Sequence, residues 1–267
     1  MPLTTGEEES NPTVTIGRPL EPGVDLVFRI RIYRPFPHNM RNERRGGRAA
    51  VFSCDAVLLG RQPLSVLRDR IVCANDVGMR ADVAAAPDQP CELNAKSVFP
   101  SGFLFVNNVF YVDERAGCRD TSAAIRAWAA ARGIGAFTKR SLDARLQDLP
   151  LRLGHPEVYV HQGDCEHPFT VSSVRTLGAR EAGAGGAGAG RFPARTAAAA
   201  SQSLYCTTCA EFGARWLVRR CPRVPFDPAF FCDTCFRLYL YKDNAPIGSF
   251  EAYHYPGNDL NTLKPQG

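Results

Sequence analysis

The chain has 267 residues, with 32 Lys and Arg against 27 Asp and Glu, and ten cysteines. A chain of that length buries roughly 70–75% of its unfolded surface, so it can build one large core or two smaller ones without metal as the sole source of stability. The net charge of +5 permits an anionic partner without demanding one. No stretch approaches the apolar length of a membrane helix, and the acidic, polar start carries no apolar signal segment, so a soluble intracellular chain with no membrane partner is expected.

In chain order, a flexible polar leader over 1–23 is followed by "VDLVFRIRIYRPF", which alternates with period two and places Leu26, Phe28, Ile30 and Ile32 on one face of a half-buried strand. "AAVFSCDAVLLG" reads as a second strand. "LSVLRDRIV" puts Leu64, Leu67 and Ile71 at helical spacing. "GFLFVNNVFYVD" reads as a hairpin turning at Asn107-Asn108, residues that tolerate positive φ. Two strands, a helix and a hairpin over 24–113 resemble the opening of a ubiquitin-like β-grasp.

A helical segment followed by the HQGDCEH loop is expected over 114–177, the helices built on "DTSAAIRAWAAAR", with Ile125, Trp128 and Arg132 on one side, and on "SLDARLQDL", with Leu142, Leu146 and Leu149. Between Arg115 and Arg152, eight Arg and Lys stand against three acids, which makes a candidate phosphate-facing surface, although arginine stems covering apolar surface account equally well for any one of them. Residues 178–200 are a Gly/Ala low-complexity loop. A zinc-organised β region over 201–256 and a fraying tail over 257–267 complete an expected α+β protein.

Intracellular thiols are kept reduced, so metal binding is the leading account of the cysteines. Cys206, Cys209, Cys232 and Cys235 form two C-x-x-C knuckles separated by 22 residues. Two tight turns each offering two thiolates supply the closed tetrahedral set of a structural zinc site. A thioredoxin-type redox pair would need only one such turn, at the end of a strand in a βαβ unit. Within "YVHQGDCEHPF", His161, Cys165 and His167 offer three further ligand types, either for a second metal or as a Cys–His catalytic pair. Between the two knuckles, Arg215, Arg219, Arg220 and Arg223 are candidate phosphate contacts, with simple solvation of the knuckle as the alternative.

The strings "RLGHPEVYVHQGDCEHPFTVSSVR", "CTTC", "ARWLV" and "FFCDTCFRLYLY", preceded in the same order by "VLLGRQPLSVLRDRI", "LFVNNVFYVDERAGCRDTSAAIRAW" and "LQDLPLRLG", resemble the family of subunit 3 of the small nuclear RNA-activating protein complex over about residues 24–256. The resemblance implies a non-enzymatic nuclear protein. Its role would be to contact DNA and scaffold a complex that recognises the proximal sequence element of small nuclear RNA promoters. Zinc is the implied cofactor, and the implied partners are promoter DNA, a Myb-repeat subunit, a further scaffold subunit and TATA-binding protein, serving RNA polymerases II and III. The family commonly carries Cys immediately before HQGDCEH, where this chain has Val160. The second site is therefore expected to be partly occupied, with Cys118 as a substitute ligand, or the loop to be held without metal. The short start and the Gly/Ala insert imply that a partner-binding extension is missing or replaced. Two other functions fit parts of the pattern: a zinc-dependent module acting on ubiquitin-type partners, and a cysteine hydrolase using Cys165 with His161 or His167.

Overall fold

The structure is a computed structural model, and it describes residues 18–35, 50–77, 81–89, 95–183, 188, 191–198 and 204–255. Its elements are, in chain order, β1 (Leu26–Tyr33), β2 (Phe52–Leu59), α1 (Leu64–Arg70), α2 (Ala74–Val77), α3 (Ala95–Val98), β3 (Gly102–Val106), β4 (Val109–Val112), α4 (Ala123–Ala131), β5 (Thr138–Ser141), β6 (Pro156–His161), β7 (Cys165–Thr176), α5 (Ala179–Ala182), β8 (Ala194–Ala198), β9 (Trp216–Arg219), β10 (Ala229–Phe231), α6 (Asp233–Leu240), β11 (Tyr241–Lys242), β12 (Ala245–Pro246) and β13 (Glu251–His254). They form two compact units, one on a large sheet and one on a small sheet.

The large sheet has eight strands in the order β5-β4-β3-β6-β7-β1-β2-β8, antiparallel throughout except for β4 and β5. This is an α+β arrangement with few helices. The expected β-grasp differs from it: the β1–β2 pair and the β3–β4 hairpin are not neighbours, because β6 and β7 lie between them. The strongly alternating β1 takes β7 as its second partner along its whole length, from Leu26↔Thr176 to Ile32↔Phe169. Local order in the sequence cannot reveal a partner some 140 residues away, and the β-grasp pattern that motivated a ubiquitin-type module is not reproduced.

Where periodicity was strong, the packing follows it. Phe28, Ile30 and Ile32 of β1 are buried with Leu64, Leu67 and Ile71 around α1. The β3–β4 turn places Asn107 and Asn108 at φ 44° and 64°, the left-handed pair that a two-residue hairpin turn requires. Leu142, Leu146 and Leu149 join the same core, but from an extended stretch and a 3₁₀ turn at Leu146–Asp148 rather than from the expected helix. Backbone pairing explains the difference. Leu142 N–H donates to Val112 O, and Arg145 bridges Pro63, so the segment is held against β4 and the start of α1. Within the expected segment 114–177, α4 is helical, whereas β5, β6 and β7 are strands. On the opposite face of the sheet, Phe103, Phe110, Val112 and Val160 form a separate cluster.

A charged network braces this unit. Arg115 donates to both oxygens of the buried Asp113 and to both oxygens of Asp69, and Arg68 approaches both carboxylates. Burial alone would raise both carboxyl pKa values, but hydrogen bonds and charge from Arg115 and Arg68 hold them below the usual carboxylate range. A folded pKa below the unfolded value adds stability that is present above about pH 4 and is lost as pH falls through the folded pKa. The stability contributed by these two carboxylates should therefore be flat from neutrality to about pH 5 and should fall below about pH 4, read as the difference between parent and Asp113 variant so that metal loss cancels. Asp113→Asn should cost about 3 kcal/mol at pH 7 and flatten that acid dependence, read by melting against pH.

The small unit pairs β10, β9 and β13 in that order around Trp216, Val218, Phe231, Phe236 and Ala252. "LYLYKDNAPIGSFEAYHY" reads from its aromatic residues and Asn/Pro/Gly turn as two short strands; β11 and β12 do pair within it, but its first residues belong to α6, one side of which buries Phe236 and Leu240, four residues apart. The reason sits at the helix start. The Cys232 side chain caps α6 by accepting from Cys235 N–H, so the second knuckle itself nucleates a helix. The Gly/Ala stretch expected to be a loop contains α5 and β8 within its described residues. Among the described residues, no helix is long and apolar enough to cross a membrane.

Candidate metal centres

The first centre is assembled by two turns and one helix start. Tyr205 bridges Gly213, and Cys206 N–H donates to Phe212 O, which closes a tight loop over 206–212. Ala210 within it adopts φ 56° and returns its N–H to Cys206 O. Thr207 N–H donates to Phe230 O, tying the first knuckle to β10 immediately ahead of the second. The four ligand sulfurs of Cys206, Cys209, Cys232 and Cys235 consequently lie within 4.8 Å of one another.

Cys209 Sγ and Cys232 Sγ are 3.9 Å apart. A tetrahedron with Zn–S bonds of about 2.3 Å has sulfurs about 3.8 Å apart, so the donor set fits zinc. All four thiols are free, and a disulfide would need about 2.05 Å. Burial opposes ionisation of Cys206, but N–H groups of Cys209, Cys232 and Thr208 overcome it and bring its pKa down to about 6. Burial and the neighbouring thiols push Cys232 and Cys235 up. A cluster that readily forms one thiolate and resists the next needs a cation to hold several together, and a coordinating divalent ion supplies it.

The packing behind this centre is aromatic. Trp216 stacks on Phe236 at 4.2 Å with the rings 6° from parallel, and its Nε1–H donates to Asp233 Oδ1 at 2.7 Å. Position and orientation of α6 are thus fixed on both sides of the second knuckle.

The second group is built by strand alternation. His161 ends β6 and is paired opposite Cys165, the first residue of β7. Directly paired residues share a sheet face, and so do residues two apart, so His161, Cys165 and His167 project together. Gln162 and Gly163 make the turn at φ 51° and 90°. His161 Nε2 and His167 Nε2 are 3.3 Å apart, and Cys165 Sγ is 3.6 Å from His167 Nε2. His167 Nδ1 lies 3.2 Å from Tyr33 O. A carbonyl only accepts, so Nδ1 carries the proton and Nε2 presents a lone pair to the group, the arrangement of a metal-ligating imidazole.

The same alternation settles where Val160 points. It faces away from His161, among Phe103, Phe110 and Val112. A cysteine at position 160 would therefore lie on the wrong side of β6 to share a metal with His161.

Cys118 is not in this group of ligand atoms. It sits in the turn after β4, where burial and the nearby Asp113 raise its pKa. The thiol and two imidazoles that the β6–β7 hairpin brings together are ligand types that suit zinc. For a hydrolase, a substrate would have to reach Cys165, which is 4% exposed, and His167 is oriented by a backbone carbonyl rather than by an acid or amide side chain.

Arg215, Arg219, Arg220 and Arg223 are all exposed. Arg220 pairs with Glu251 at 2.7 Å, and Arg219 is 3.9 Å from Asp227. These partners leave the guanidinium groups solvated and able to turn to a phosphate.

The family described as snRNA-activating protein complex (SNAPc), subunit 3, matches residues 55–256, a span that contains both ligand groups. The chain is 32% identical over 255 residues to the snRNA-activating protein complex subunit 3 of Rattus norvegicus and equally so to that of Mus musculus, covering 94% of this chain and 59% of each relative. With the Bos taurus protein it shares 31%, covering 94% of this chain and 58% of the relative. The chain thus spans somewhat under two thirds of the length of these relatives, with the shared part carrying every ligand named above. On the match of more than half its length, the chain belongs to the family of snRNA-activating protein complex subunit 3.

Proposed function

We propose that the chain works as a non-enzymatic subunit of an snRNA-activating complex in the nucleus, where two zinc sites hold a rigid surface that contacts promoter DNA and partner subunits. The observation that carries this reading is the family match over 55–256 together with the four-cysteine group and the His161, Cys165 and His167 group inside it. The closed four-thiol set favours structural zinc, which fixes loops without offering a coordination position to a substrate. The DNA in question is the proximal sequence element of small nuclear RNA promoters, read jointly with a Myb-repeat subunit and a scaffold subunit, with TATA-binding protein and RNA polymerases II and III as the downstream machinery. Co-purification of the chain with the other subunits, followed by binding to that promoter element, tests the reading; failure to assemble would sink it.

Direct DNA contact makes a narrower prediction. Phosphate contacts position a protein without reading bases, so Arg219→Ala with Arg220→Ala in the assembled complex should weaken binding equally across sequences and lower the salt slope by about two units. Preference for the promoter element should survive. Unchanged affinity and salt dependence would place these arginines away from DNA, and a loss of preference at constant slope would make them base readers. The chain alone should bind weakly, since a charge of +5 supplies little of the phosphate neutralisation a whole complex needs.

A further inference from the structure

We propose that α4 is a docking ridge for an acidic amphipathic helix of another subunit of the complex, a proposal that rests on the complex-subunit reading above. A helix with apolar residues three and four apart normally turns them to the core. Here the reverse holds. Only Ala129 of α4 is buried, whereas Ile125 and Trp128 are 39% and 53% exposed, and Ile134 just beyond the helix is 56% exposed. Ile125, Trp128 and Arg132 follow one another at three and four residues, so they form one ridge along the helix. Arg132 lies over the Trp128 ring at 5.6 Å and holds it across the outer surface.

Alanines complete the surface. Ala124, Ala127 and Ala131 are exposed alongside the ridge and leave it shallow on that side, which lets a second helix approach to the 8–10 Å of close helix packing. The start of the helix is fixed locally: Asp120 accepts from Ser122 N–H and its hydroxyl and from Arg126. A ridge on an already formed helix loses less freedom on binding than a disordered segment would.

Charge selects the occupant. From Asp113 to Arg140 there are six Arg and Lys against three acids; ion pairs join Arg115 to Asp113, Arg126 to Asp120 and Lys139 to Glu114, and the segment keeps a net positive charge. An anionic partner is therefore favoured. Phosphate groups would answer the arginines but offer nothing to Ile125, Trp128 and Ile134, whereas a helix with leucines or phenylalanines on one side and Glu or Asp flanking them answers both. Trp and Arg are also the side chains that most often dominate binding at the centre of an interface.

The test uses the full chain co-assembled with the other subunits of the complex. Trp128→Glu should weaken incorporation at least about tenfold in a pull-down titration, and Arg132→Glu should weaken it less and reduce its salt dependence. Both positions are exposed, so melting and zinc content of the isolated variants should match the parent. A photo-crosslinking phenylalanine analogue at position 128 should join an acidic helical segment of a neighbouring subunit, identified by mass spectrometry. Crosslinking to promoter DNA, or to a second copy of this chain, would overturn the proposal, as would incorporation of Trp128→Glu at parental affinity. In those cases the parent chain still assembles, so the complex-subunit reading survives; failure of the parent itself to assemble would remove both.

Discussion

Cys232→Ser with Cys235→Ser is expected to release one zinc per chain and unfold the small unit. The two cysteines are half of the ligand set, and Cys232 is also the cap of α6, so the double change removes the metal and the helix start together. Structural zinc contributes on the order of 10 kcal/mol to the domain that binds it, against a total stability of about 5–15 kcal/mol for a typical domain. A unit whose core is α6 laid on a three-stranded sheet has no comparable reserve. Elemental analysis reads the zinc, and tryptophan fluorescence reads the fold. Of the two tryptophans, Trp128 is already exposed, whereas Trp216 is 4% exposed and stacked on Phe236, so a red shift reports the small unit. Chelation of the parent should give the same shift. Parental zinc content and parental emission in the double variant would remove the metal from the account of this region.

The parts of the fold that could be read in advance are those written within a dozen residues. The alternation of β1, the Asn107-Asn108 turn, the spacing of Leu64, Leu67 and Ile71, and the two C-x-x-C turns each encode their structure locally. The misreadings share a cause as well. Leu142, Leu146 and Leu149 repeat at helical spacing because they touch one core, and an extended stretch with a 3₁₀ turn satisfies the same contacts once Leu142 hydrogen-bonds Val112. "LYLY" is rich in strand formers, yet the thiol of Cys232 offered a cap that propensity tables do not include. Sheet order was beyond reach because β1 and β7 meet across most of the large unit's sequence. The second donor set stood half legible: HQGDCEH announced three ligands, while the side on which position 160 lies depended on knowing that the segment is a hairpin.

That hairpin geometry leads to a second large effect. The chain purified without chelator should contain about two zincs, because the ligand atoms of His161, Cys165 and His167 converge at the β6–β7 turn and four thiols converge at the double knuckle. His161→Ala should reduce the content to about one and destabilise the large unit by on the order of 5 kcal/mol, less than at the double knuckle because the surrounding sheet is formed by its own ladders. Position 160 provides the sharpest discrimination. If a cysteine there were a ligand, Val160→Cys would raise zinc affinity; since Val160 packs among Phe103, Phe110 and Val112, the change should leave affinity untouched and only disturb that apolar cluster slightly. Cys165→Ser should lower the second zinc's affinity, and Cys118→Ser should not. A content of about one zinc in the parent, unaffected by His161→Ala, would mean that the imidazoles and thiols hold the β6–β7 turn by hydrogen bonds alone. Loss of the second zinc in Cys118→Ser would bring a ligand from the turn after β4 into the site. The expected pattern instead makes the β6–β7 hairpin a metal-clamped corner of the sheet, with its third strand neighbour, β1, supplying through Tyr33 O the hydrogen bond that keeps His167 in its ligating form.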